Sequence, residues 1–173
     1  MIKSKKDREG TPVEDDVQQF IGNLEARFGG PVGYRTYSTW FASDDGLIRE
    51  YGVFLYEING ILHFEDFERK PSILGFSLKP GKKQKPYVKM ERSFAVDDIR
   101  NIDIVAKSAA QAVAQGLKRA DAITSATLLQ KIVSRLVTRV ELQDGPTYFF
   151  ELINHKTFVQ AVKEGTHGRI QGV

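Results

Sequence analysis

Apolar and polar positions between Arg135 and Glu164 spell two strand-like runs, a tight turn and a helix. Val137, Arg139 and Glu141 alternate with Thr138, Val140 and Leu142, a spacing that predicts a strand. Asp144-Gly145 tolerates positive φ and predicts a short hairpin turn. An aromatic and β-branched run, Thr147 to Ile153, makes the returning strand. Asn154 is a suitable N-cap for a helix whose Phe158, Ala161 and Val162 share one face.

The same pattern recurs nearer the start. Leu47 to Ile58 and Ile61 to Phe67 are strand-like runs joined by Asn59-Gly60, the preferred pair for a tight hairpin. Upstream, Thr11-Pro12-Val13-Glu14 has the form of a capping box with proline at the first helical position. Val13, Val17, Phe20, Ile21, Leu24 and Phe28 then form an apolar stripe, and Gly29-Gly30-Pro31 stops the helix. Weaker runs follow Pro71. The strands expected are 47–58, 61–68, 72–78, 86–92, 99–105, 136–143 and 147–153, seven in all. The alanine-rich, proline-free stretch 106–135 favours helix, with Gly116 and Thr124-Ser125 as points of division.

Seven strands followed by an amphipathic helix resemble a pleckstrin-homology-like (PH-like) domain. The resemblance is architectural and covers 47–164 apart from the insertion. It implies an α+β fold: a seven-stranded bent barrel or sandwich whose C-terminal helix plugs one open end. The additions here are an N-terminal helix and a helical insertion between strands five and six. The expected organisation is a disordered tail over 1–10, the first helix over 11–30, the PH-like domain over 31–164 with its insertion at 106–135, and a flexible tail over 165–173.

The chain of 173 residues is 41% hydrophobic and 27% charged, ordinary values for a globular domain. Its 25 basic and 22 acidic residues leave a formal charge of +3, so binding to an anionic partner requires a local patch. The absence of cysteine excludes disulfides, thiolate metal sites and cysteine nucleophiles. No apolar run has the length of a membrane-spanning helix, and no apolar segment follows the basic start as a signal peptide requires. The expected location is cytoplasmic, with peripheral attachment to a membrane as the alternative.

No catalytic motif is present. His63, His155 and His167 lack metal-ligand spacing, and the paired aspartates fall at helix starts and turns. The reading is a non-enzymatic module without a cofactor, working through a protein partner or self-association. Ala112, Gly116 and Ala120 recur every four residues and are the self-association candidates. The first alternative is an anionic membrane surface held by Lys79, Lys82, Lys83, Lys85 and Lys89 in a proline-bracketed loop. The second is a small-ligand groove lined by Tyr34, Tyr37, Trp40 and Phe41. Specific nucleic-acid recognition is not expected.

Overall fold

The structure, a computed structural model, describes residues 12–46, 48–66, 72–73, 76–77 and 89–168. Helix α1 (Pro12–Phe28) leads into strands β1 (Val32–Ser43), β2 (Ile48–Ile58) and β3 (Ile61–Asp66). A separate two-stranded piece, β4 (Ser72–Ile73) and β5 (Phe76–Ser77), precedes β6 (Glu91–Ala95). A single 3-10 turn (Val96–Asp98) leads to β7 (Ile99–Ala106) and α2 (Lys107–Ala114). After a second 3-10 turn (Ala120–Ala122) come α3 (Leu128–Val133), β8 (Leu136–Leu142), β9 (Thr147–Leu152) and α4 (His155–Gly168).

The fold is α+β. Seven antiparallel strands form one sheet in the order β6-β3-β2-β1-β9-β8-β7. Each neighbours its predecessor in the chain except at one break, between β6 and β7. The sheet is therefore not closed, so of the expected bent barrel or sandwich the structure has a seven-stranded open sheet followed by a C-terminal helix. It is strongly curved all the same. Phe94 of β6 stacks on Tyr148 of β9 at 5.4 Å, although these strands lie four places apart in the sheet.

The count of seven holds, but its membership differs from the sequence reading. Residues 32–43 form the central strand, and 72–73 with 76–77 stay outside the main sheet. The strand expected at 86–92 is β6, at 91–95, and 86–88 lie outside the described residues. β1 alternates only over its first half; from Trp40 to Ser43 all four residues are buried, because both faces of the sheet are covered there. A strand covered on both faces loses the period-2 signature.

The concave face holds the main core, in which Trp40, Leu55, Phe64, Phe150 and Phe158 are fully buried. Their rings meet edge to face, Trp40 on Phe64 at 5.1 Å and Phe64 on Phe150 at 5.1 Å. α4 supplies Phe158 and Val162 to this core, so the helix plugs the curved sheet. The convex face is covered in two places. α1 lays Leu24 over Phe54, Tyr56 and Ile58 of β2. α2 lays Ala110, Val113 and Ala114 over Phe41, Val137 and Phe149.

The hairpin turn takes the conformation its residues predict, with Asn59 at φ 54° and Gly60 at φ 75°. The helix expected across 106–135 is divided. Gly116, at φ 71°, lies just past the end of α2. α4 continues to Gly168, beyond the expected start of the flexible tail, and 1–11 and 169–173 lie outside the described residues.

Candidate functional site

The break in the sheet creates a groove. β7 is an edge strand, and α4 runs beside it. Between them lies a hollow of about 580 Å³ lined by Val96, Ile99 and Ile102 on one side and Val159 and Val162 on the other, with Arg100 and Lys163 among its charged residues. α4 is held there by its own start and by its plug. The Asn154 carboxamide accepts the Thr157 N–H at 3.2 Å, a capping bond, and Phe158 packs against Tyr34 at 5.8 Å.

The outer edge of β7 is half covered. The Ile104 carbonyl accepts the Ala126 N–H at 2.7 Å, so Ile104 presents its backbone outward. In an antiparallel ladder both backbone groups of a residue point the same way, and alternate residues repeat it. The register from Asn101 to Ala106 is regular, so Ile102 also presents its N–H and carbonyl outward. Among the described residues no segment pairs with it there. An apolar hollow thus lies beside an open donor and acceptor.

The insertion that covers the rest of this edge is pinned by Arg139. Its guanidinium donates to both oxygens of Asp103, each at 2.8 Å, and to the carbonyls of Ala120 and Ile123 at 2.8 and 3.0 Å. The Ser125 hydroxyl donates to the same Asp103 carboxylate. At the root of α2, Lys107 bridges Glu151 at 2.6 Å and Glu50 at 2.8 Å. These hydrogen bonds hold the Lys107 ammonium above the usual lysine range and the Glu50 carboxyl below its own. Thr138 Oγ1 and His155 Nδ1 lie 3.0 Å apart. Among the described residues His155 forms no hydrogen bond with a carboxylate, the orienting contact a nucleophilic Thr–His pair uses.

A second polar cluster lies on the convex face at the end of α1. His63 of β3 is sandwiched between Phe28 at 4.4 Å and Tyr56 at 5.2 Å, near Arg27, Glu65 and Glu91. Burial lowers its pKa, opposed by the two carboxylates. The buried Tyr56 hydroxyl has no hydrogen-bond partner among the described residues, and burial raises its pKa. A histidine whose folded pKa is depressed leaves stability unaffected well above its unfolded pKa. Below about pH 6.5 the unfolded chain takes the proton first, so stability falls with pH until the folded form also binds it. His155, likewise lowered by burial, adds to the same slope. Urea midpoints should therefore fall from about pH 7 to about pH 5, and His63→Phe should make that fall shallower; an unchanged slope would contradict it.

A further hollow, of about 590 Å³, is lined by Arg100, Arg119, Asp121 and Glu141 among others. Its charges largely neutralise one another, Arg119 with Asp121 at 2.7 Å and Arg100 with Glu141.

The residues singled out in the sequence are scattered. Lys79, Lys82, Lys83 and Lys85 lie outside the described residues, and Lys89 pairs with Glu65 at 2.6 Å. Ala112 is half-buried in α2, Gly116 follows its end, and Ala120 sits in a 3-10 turn against the convex core. They do not form one helical stripe. Tyr34 and Trp40 face the concave core, while Phe41 faces the convex one and Tyr37 packs on Phe54 of β2. Strand alternation separates these rings, so they do not line one groove. Ile102 and Val159 were legible only as apolar positions of a strand and a helix. Nothing local marks a strand as an edge. Compared with known protein families, curated proteins and solved structures, the chain matches none of them.

Proposed function

We propose that this chain is a non-enzymatic, PH-like binding module that takes an extended peptide from a protein partner as an added strand on β7. The PH-like reading is supported by a meandering sheet whose first strand pairs with its last, followed by a helix that plugs the curve. The observation that carries the peptide reading is the open Ile102 backbone beside the apolar hollow between β7 and α4. Strand addition uses those two features together: backbone bonds supply affinity, and pockets for alternate side chains supply selectivity.

The test is selection from a displayed random-peptide library, followed by titration of the selected peptides. Val159→Glu places a charge in the groove at a half-buried position, and Ile102→Pro removes the outward N–H. Each should weaken binding by about tenfold or more, the cost of one lost backbone bond or one buried charge in an interface. Failure to select any peptide, or equal binding by both variants, would sink the reading.

A further inference from the structure

A second exposed feature stands apart from the groove. Helix α3 has six residues, and four of them are large apolar side chains turned to solvent: Leu128 is 81% exposed, Leu129 69%, Ile132 81% and Val133 71%. Ile153, at the end of β9, is 86% exposed and shares a hollow with Arg135, two residues beyond α3. Such a helix has no packing to hold it. It is held by a complete capping box, with the Thr127 hydroxyl accepting the Gln130 N–H and the Gln130 side chain accepting the Thr127 N–H. The segments on either side are fastened to the sheet, Ala126 to Ile104 and the Arg135 carbonyl to Lys107. The result is an apolar knob mounted on a fixed base.

Along the chain, the charges flanking the knob have one sign; across the fold, Arg135 lies within electrostatic reach of Glu50 and shares a hollow with Glu151, both of which are bound by Lys107. Residues 122–140 contain no aspartate or glutamate, and they contain Lys131, Arg135 and Arg139. Arg139 is buried in its pair with Asp103. Lys131 and Arg135 are exposed and form no ion pair with any described residue. Lys131 also lies close enough to His155 to oppose its protonation, which places the start of α4 and the exposed Lys156 near the knob.

We infer that α3 inserts its apolar side chains into an anionic lipid surface, with Lys131 and Arg135 resting on the headgroups. Size decides against a protein occupant. A stable protein interface takes roughly 800 Å² and 20–30 residues from each side, whereas this patch comprises five side chains on a protrusion. A bilayer conforms to a protruding shape and needs only a few inserted apolar groups beside cations. The inference uses none of the groove residues, so it stands or falls separately from the peptide reading.

The chain has no cysteine, which permits a direct probe. Ile132→Cys, labelled with an environment-sensitive dye, should shift its emission to the blue with vesicles of phosphatidylcholine plus phosphatidylserine, and not with phosphatidylcholine alone. In sedimentation with the same vesicles, the double variant Leu128→Asp, Ile132→Asp should lose more than about tenfold in partitioning. Lys131→Glu with Arg135→Glu should lose about 20-fold or more. All four positions are exposed, so circular dichroism should be unchanged. Three results would overturn the inference. One is no dye shift and no sedimentation of the wild type. Another is undiminished sedimentation of both double variants, which would assign binding to another surface such as 79–89. The third is a wild-type dimer in light scattering that the aspartate variant dissociates, which would assign the patch to a second copy of the chain.

Discussion

Phe158→Ala is expected to destabilise the fold by about 3–5 kcal/mol, measured as the loss in unfolding free energy in urea. Phe158 is fully buried and is the residue by which α4 enters the concave core. Its ring packs against Tyr34 of β1, and the core it joins draws on β1, β2, β3, β6, β8 and β9. Truncation removes the transfer energy of a phenyl ring and leaves a cavity that the surrounding rings cannot fill without leaving their edge-to-face contacts. α4 has few other anchors, since only Val162 joins Phe158 as a buried apolar residue of the helix. The variant should therefore lose protection from amide exchange in α4 before the sheet does. Phe158→Leu, which keeps most of the volume, should cost less than half as much. A Phe158→Ala cost under about 1 kcal/mol, the scale of an exposed substitution, would mean that α4 is not the plug.

Arg139→Ala is expected to cost a similar amount, about 3–5 kcal/mol, because it leaves a partner carboxylate uncompensated in a largely buried position. The Arg139 side chain is 7% exposed and that of Asp103 is 14% exposed. The substitution also orphans the carbonyls of Ala120 and Ile123. Unlike the plug, this site joins the insertion to the sheet, so its loss should be visible locally. Trypsin should cut the variant at Lys118 and Arg119 faster than the wild type. Combining Arg139→Ala with Asp103→Ala should recover part of the loss, since no lone charge then remains. Strict additivity of the two single costs would show that the ion pair does not couple them.

The legibility of the fold divides along physical lines. α1 was readable because its stripe, its first-turn proline and its terminal glycines act within a few residues of one another. The hairpin at Asn59-Gly60 was readable because positive φ at two successive positions strongly restricts residue choice. β1 was misjudged for a corresponding reason. Its aromatic residues are needed on both faces, so Trp40 and Phe41 are buried side by side and the alternation disappears. The candidate groove was not readable at all. Ile102 looks like any strand residue, and only the placement of β7 at the sheet's end leaves its backbone open. Arg139 gave no sign of its role either, since its partner Asp103 is 36 residues away.

By itself, the sequence determined α1, the Asn59-Gly60 turn and the terminal amphipathic helix, because capping, turn geometry and helical periodicity are short-range effects. It placed the second hairpin as well, although neither Asp144 nor Gly145 takes the positive φ expected there. It also determined that a basic, acid-free stretch surrounds Leu128–Val133. Tertiary structure alone decided which strand is central, which edge is open and which apolar side chains are left outside. Those outcomes depend on burial by segments far apart in the chain. Leu128 and Leu55 are both leucine, but Leu55 is enclosed by the curved sheet and α4 whereas Leu128 is 81% exposed.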